Sequence, residues 1–571
     1  MVFLKSIAEI YKNMPQSTHK DSLCFLPLGG SGEIGMNLNL YRTQGKWLMV
    51  DCGISFADNY LPGIDLIMPN VSYIEQRRDK LLGLIITHAH EDHVGALAHL
   101  WPRFRCPVYA TPFTMILIRL KLAEAGLLDQ VPLIEVPLEG SVTLGPFTVD
   151  FLSLTHSIPE PNAVRITTAL GVIFHTGDWK LDPAPLLGNK TDADKMIQVG
   201  DEGVLALVCD STNVFNVAPS GSESRVRDTI SQMLASKKGK VFCATFSSNV
   251  ARVDTLAQAA KNNDREVCLV GRSLKRNVAA AKEAGYLKDF PNIVDESDAG
   301  YLPNEKILYI CTGCQGEARA ALMRIAQGNN RDVVITRGDL VIFSSKIIPG
   351  NEMLIGRLHN SLVEMGAEVI TEKDAFVHVS GHPGQEELKQ MYDWIRPEIL
   401  VPVHGEHRHM HKQAEFGKSH GIPQTIVPRN GTLIRLAPGP AEIIDYVDVG
   451  RLALDGQFII PAEDDAIVTR RRILYNGGLV ISLVVDRDGE FLAPPQIANL
   501  GNPGGGARFD DVIIEAVFAA ANRLTQKQRA DKAKLAEAVR TYARKAAKNY
   551  TFKETGPQTT VNVTQIEDRP N

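Results

Sequence analysis

Metal-binding side chains are concentrated in the segment LLGLIITHAHEDHVGAL, where an apolar run ends at Thr87 and His88, His90, Asp92 and His93 follow. Imidazole nitrogens and carboxylate oxygens are the donors that zinc and related divalent ions take. His88 and His90 alternate and can point to one ion, while Asp92 and His93 turn toward a second. A surface histidine cluster is the plainer reading, but four ligand-capable side chains at one strand end argue against it. More donors stand in similar places. His156 follows FLSLT, Asp178 follows VIFHTG and His404 follows EILVPV, so one sheet edge could gather all seven. Asp51, at the end of KWLMVD, is placed to orient a ligand from behind.

The elements that must hold these residues are legible as short apolar strands from Ser22 onward, interleaved with some helices, which makes the class α/β or α+β. From Ser222 to Asp374 the rhythm becomes a regular alternation of helix and strand, expected as a parallel sheet with crossover helices. EILVPVHG then returns with chemistry belonging to the first part, so the alternating region reads as an insertion. The expected boundaries are an extension over 1–21, a first domain over 22–221, the insert over 222–374 and the returning part over 375–444. A loose linker is expected over 445–465 and a small α+β unit over 466–571, with a strand pair in LVISLVVDRDGEFLAP, two helices and a last strand. GSGEIG, beginning at Gly30, resembles a dinucleotide loop, but the alternating MNLNLYRTQGKWLMVD after it reads as strands, so a Rossmann turn is excluded. These glycines are expected in a tight turn near the site, with N–H groups available to a phosphate.

With 571 residues the chain needs two to four domains, and 44% hydrophobic and 22% charged residues are ordinary for a globular protein. A formal charge of −5 excludes a global basic field, so nucleic acid would need a local groove. The 8 scattered cysteines do not form a secreted disulfide framework, and no run of 18 apolar residues suggests a membrane span. A cytoplasmic enzyme is expected. The single pair Cys311 and Cys314 reads as loop cysteines rather than a zinc or redox motif.

Nine motifs in order, LPLGGSGEIGMN, THAHEDHVG, HSIPE, GDWKLD, CDSTN, CTGCQGE, FSSKIIPGNE, HVSGHPGQ and PVHGEHR, resemble the bacterial ribonuclease J family of β-CASP nucleases. That resemblance implies a metallo-β-lactamase αββα sandwich, an inserted parallel α/β β-CASP domain and a small C-terminal α+β domain. It implies two zinc ions per subunit, with manganese as a possible substitute. His88, His90 and His156 would bind one ion, Asp92, His93 and His404 the other, and Asp178 would bridge them. It makes Asp210 the proton donor and His382 the acceptor or transition-state contact, although Asp210 in DSTN also suits a capping or turn carboxylate. His378, Val379, Ser380, Gly381 and His382 resemble the family's substrate-binding motif. Ser247, Ser248, Asn249, Ser344 and Ser345 are secondary candidates that could equally close strand ends, and Arg272, Lys275 and Lys346 could lend the groove positive charge.

The implied activity is endonucleolytic and 5′→3′ exonucleolytic hydrolysis of single-stranded RNA, preferably with a 5′ monophosphate, in rRNA maturation and mRNA decay. The resemblance also implies homodimers or homotetramers, no membrane, and a structural calcium with Asp455 and backbone oxygens of Pro62 and Ile64 as counterparts. Three rival readings fit the sequence less well. A glyoxalase-II-type ester hydrolase has no use for the insert, a DNA nuclease is poorly discriminated, and a non-catalytic RNA scaffold would have lost ligands that this chain retains. Glu160 and Ser247 stand where the family often has Asp and Ala, Cys314 stands where it has Ser, and the tail lacks the expected basic, apolar ending.

Overall fold

The computed structural model describes residues 21–348 and 350–566. The expected extension therefore lies, but for Asp21, outside the described residues. Contacts divide the chain into two units, 1–55 with 68–450 and 56–67 with 451–571.

Two large sheets dominate the first unit. An eight-stranded sheet runs in the order Glu442–Tyr446, Thr432–Ala437, Leu23–Gly29, Leu38–Thr43, Lys46–Val50, Leu81–Ile85, Val108–Ala110, Leu133–Glu135. A seven-stranded sheet runs Ser141–Leu144, Phe147–Ser153, Asn162–Thr168, Gly171–His175, Ala206–Asp210, Ile399–Val403, Gln424–Thr425. The two meet face to face: Phe25, Val50 and Ile85 from one share a core with Phe151, Ile173, Val208 and Val401 from the other. On its outer face the second sheet packs Leu207, Phe174 and Leu400 against Met196, Met391 and Ile395 of the helices Ala193–Asp201 and Gln385–Ile395. Each side chain fully buried in this way contributes about 1.5–3 kcal/mol. This is the layered sandwich that the resemblance implied.

The inserted domain leaves at Asp210 and returns before Ile399. The strands flanking it, Ala206–Asp210 and Ile399–Val403, are parallel neighbours with Asp210 opposite Val403. All five residues of each are buried, which explains why ALVCD and ILVPV are continuously apolar up to their last residues. The insert is a five-stranded parallel sheet in the order Glu266–Val270, Ile307–Cys311, Val241–Ala244, Leu340–Phe343, Glu368–Ile370. Its first helix, Glu223–Ser236, is capped by the Ser222 side chain and buries Val226, Ile230 and Leu234 at four-residue spacing, one face of the helix.

The second unit differs from expectation in three places. The stretch 445–465, expected to be loose, carries the antiparallel hairpin Arg451–Asp455 and Phe458–Pro461 around a two-residue Gly456–Gln457 loop. The Asp-Gly signal there was overlooked, and Gly456 supplies the positive φ of 62° that such a tight loop needs. Residues 56–67, expected inside the first domain, belong to this unit. In the tail, Gly478–Asp486 pairs antiparallel with Gln496–Leu500, farther along than the expected EFLAP, and parallel with Gln558–Ile566. The helices Ala507–Asn522 and Lys532–Thr551 cover that sheet with Phe509, Ile513, Val517, Leu535 and Val539.

Candidate metal centre

Two residues adopt left-handed backbone where strands run out into the site. Asp51 (φ 64°) follows the strand Lys46–Val50 and His404 (φ 50°) follows Ile399–Val403. Non-glycine residues hold that conformation only where the surroundings compel it, and such positions cluster at functional sites. The glycine turn packs against the second of them, because the His404 N–H donates to Gly30 O at 2.6 Å. Gly30 itself has φ 80°, and a Cβ there would lie 2.3 Å from Asn37 Oδ1.

Asp51 is buried behind the histidine loop. Its Oδ1 accepts the Thr87 N–H at 2.8 Å, and its Oδ2 lies 2.7 Å from His93 Nδ1. A carboxylate on Nδ1 leaves Nε2 as the donor nitrogen, the usual support for a metal-binding histidine. His156 is oriented in the same way: Nδ1 bonds Gly381 O, so Nε2 turns to the cluster. Gly381 has no room for a side chain, since a Cβ would meet His156 Cε1 at 2.7 Å.

Three imidazole nitrogens then converge. His90 Nδ1 lies 3.1 Å from His88 Nε2 and 3.1 Å from His156 Nε2, with Asp178 Oδ2 at 4.0 Å from the former and 3.9 Å from the latter. A second group gathers Asp92, His93 and His404 around the same Asp178. His404 Nε2 stands 3.2 Å from Asp92 Oδ2, while Asp178 Oδ1 stands 2.7 Å from His404 Nδ1 and 3.2 Å from His93 Nε2. Each group places one donor atom per residue within 4.8 Å of the others, and Asp178 belongs to both. Buried Asp178 Oδ1 and His404 Nε2 form no hydrogen bond despite these close approaches. Converging lone pairs and orphaned buried atoms of this kind fit divalent cations, and the seven residues expected as ligands are those that meet here.

Burial, helped by neighbouring imidazoles, holds His88 and His156 well below the usual histidine range and His90 at about 4, so these three are neutral donors. Burial also opposes a charge on His404, but Asp178 outweighs it and pushes that imidazole up to about 10.

At the rim, Asp210 divides its carboxylate. Oδ1 accepts the Thr212 N–H at 2.8 Å, the turn role, while Oδ2 lies 2.7 Å from His382 Nδ1. Burial disfavours a charge on His382, yet Asp210 and Asp178 raise its pKa above the ordinary value. Asp178, Asp210, His382 and His404 form a third close group. In the HVSGH segment, Val379 is buried, Ser380 Oγ accepts the His382 N–H at 3.0 Å, and burial together with Arg252, Lys346 and Lys180 keeps His378 well below the usual range.

The secondary candidates separate. Asn249 caps the helix Val250–Asn262 through Arg252 N, and Ser344 is buried with its Oγ donating to Val377 O at 2.7 Å. Lys275 is paired with Glu296 at 2.9 Å. Asp455, the calcium candidate, holds Arg470 through Oδ2. Cys311 and Cys314 are buried free thiols, and burial pushes Cys314 up to about 12. Two residues were missed at the sequence level. Arg252 is wholly buried, grips Glu223 through Nε and Nη2 at 2.9 and 2.7 Å, and donates from Nη1 to Ser344 O and Val377 O, fixing the root of HVSGH. Glu387 accepts from Leu181 N, Ser220 and Gly384 N, tying three site-forming loops together. Arg252 between the apolar Val250–Ala251 and Val253 was the available signal for the first; the second reads as an ordinary helix-start acid.

Comparison with known proteins agrees with this geometry. The metallo-beta-lactamase superfamily model matches residues 35–243, the "Ribonuclease J, beta-CASP domain" model matches 238–362, and the "Zn-dependent metallo-hydrolase RNA specificity domain" model matches 366–427. Ribonuclease J of Sinorhizobium meliloti is 43% identical over 566 residues, covering 98% of this chain and 100% of that protein. Ribonuclease J of Mycolicibacterium smegmatis is 41% identical over 81% of this chain and 83% of its own length, and that of Helicobacter pylori 33% over 85% and 71%. A sandwich whose strand ends gather histidines and aspartates for metal, interrupted by a β-CASP insert and matched over 98% of its length by the Sinorhizobium meliloti enzyme, belongs to the ribonuclease J family of metal-dependent ribonucleases.

Proposed function

We propose that the centre holds two zinc ions, or manganese in their place, and hydrolyses single-stranded RNA both internally and from its 5′ end. The observation that carries this reading is the sharing of Asp178 between two convergent donor groups, with the Asp210–His382 pair beside them. His88, His90 and His156 would hold one ion, Asp92, His93 and His404 the other, and Asp178 both. Such a pair supplies Lewis acidity, lowering the pKa of a water and offsetting charge on the phosphodiester. The protein's own groups do the rest. Asp51 and Gly381 O keep the imidazoles of His93 and His156 turned inward. Asp210 and His382 share a proton across their 2.7 Å hydrogen bond; Asp210 passes it to the leaving oxygen, and His382 contacts the phosphate as charge develops. His378, Ser380 and the N–H groups about Gly381 present donors for a terminal 5′ monophosphate. A bulkier triphosphate brings charge that those donors cannot satisfy.

RNA maturation, including that of rRNA, and mRNA decay are the processes this chemistry serves. We further assign a cytoplasmic location, a homodimer or homotetramer, and a structural calcium held by Asp455 with Pro62 and Ile64. No helix among the described residues is long and apolar enough to cross a membrane. The test is to incubate the protein with 5′-labelled and 3′-labelled RNA, with and without a chelator. Internal fragments together with 5′ mononucleotides, both abolished by chelation and restored by zinc or manganese, are expected. Chelator-resistant cleavage overturns the reading.

A further inference from the structure

Phe215 leaves 51% of its surface exposed in the loop that follows the strand ending at Asp210. An aromatic ring normally gains by burial, so a large exposed ring beside an active site needs an account. The loop holding it is firmly built. Val214 is buried and its carbonyl accepts Gln385 Nε2 at 2.9 Å, while Asn216 O accepts Gln385 N at 2.8 Å. Asn213 Nδ2 reaches His382 O at 3.4 Å, so the same loop touches the rim of the metal centre.

The ring's neighbours come from the segment that follows the adjacent parallel strand, Ile399–Val403. The Arg408 guanidinium lies over it at 5.9 Å and the His409 ring meets it at 5.2 Å and 64°. Both residues sit in the first turn of the helix His407–Ser419, a few residues beyond His404. Phe215 is five residues beyond Asp210, a span of at most about 18 Å. Arg408 is exposed and pairs with the exposed Glu406 at 2.8 Å, and burial together with Arg429 holds the neighbouring His407 below the usual histidine range. An exposed aromatic ring beside an arginine is a device by which proteins hold single-stranded nucleic acid, the ring stacking a base and the guanidinium following the backbone.

We propose that Phe215, with Arg408 over it, is a stacking platform for one nucleobase of the RNA strand, a few nucleotides at most from the phosphodiester at the metal centre. This rests on the reading of that centre as an RNA-cleaving site. Stacking on the ring is tolerant of base identity and requires only that a base be present, so it raises affinity without imposing a sequence.

The experiment measures kcat and KM for Phe215→Ala, Phe215→Leu and Phe215→Trp on 5′-monophosphorylated RNA and on a series with one abasic site moved along the strand. Alanine and leucine should both raise KM on the order of 10-fold, since leucine keeps the bulk and loses the π face, and tryptophan should stay near the parent. One abasic position should weaken the parent by a similar factor and leave Phe215→Ala no worse than it already is. Additive losses at every position, or a leucine variant that behaves like the parent, would overturn the platform. The chelator test on the parent is independent of Phe215, so a failure of the metal reading is seen there and a failure of the platform only here.

Discussion

His90 touches both of its partner imidazoles at 3.1 Å, so it is the residue whose loss most directly opens the first donor group. His90→Ala should abolish RNA cleavage while the chain still folds, and elemental analysis should find fewer than two ions per chain. Full activity with depleted metal would refute the assignment. Asp210→Asn and His382→Ala leave all seven donors in place, and both should keep two ions and bind RNA. Each should turn over slower by a factor on the order of 10²–10⁴, the usual cost of losing a general acid or base. Unchanged rates in both would return Asp210 to the turn role that its Oδ1 already plays. Gly381→Ala is the sharpest structural change available. Its Cβ would strike His156 at 2.7 Å, so this smallest of additions should lower metal occupancy without touching a donor.

The HVSGH segment is positioned by elements of the insert rather than by its own sequence. Arg252 in the helix Val250–Asn262 and Ser344 after the strand Leu340–Phe343 both bond Val377 O, and Glu223 at the start of Glu223–Ser236 holds the arginine. Arg252→Met strands the buried Glu223 carboxylate, and removing one partner of such a pair costs about 3–5 kcal/mol. Urea unfolding should show that loss, and Glu223→Gln added to Arg252→Met should recover part of it by removing the stranded charge. Ser380→Ala tests the end-recognition reading at the same scale. Mononucleotide release from monophosphorylated RNA should fall while internal cleavage persists, and the parent should release little from a matched triphosphorylated end. Equal release by the parent from both ends would defeat a 5′ phosphate pocket.

The chain as a whole carries separate cores, one between the two large sheets, others in the insert, and one in the tail built on Leu479, Ile481, Phe509 and Val539. Bound ions should therefore stabilise the first unit selectively, by about 2.7 kcal/mol per ion when free metal is 100 times its dissociation constant. Calorimetry with and without chelator should show the transition of that unit move while the tail's transition stays. The sequence by itself marked the candidate donors, because they cluster within a few residues of the ends of apolar runs, and strand ends are written locally in residue type. It determined the insertion too, since a helix–strand rhythm is a repeating local pattern. The hairpin at 451–461 was also written locally, in Gly456 between the apolar LAL and FIIP, but strands of five and four residues are too short to stand out from a loop. What no local pattern contains is which donors meet. His382 and Asp210 are 172 positions apart, His156 and Gly381 are 225 apart, and a contact at that separation follows from how sheets pack and where an insert re-enters. Arg252 shows the same limit, because a buried arginine is stable only where distant groups surround it, and only the tertiary structure brings Glu223, Ser344 and Val377 to it.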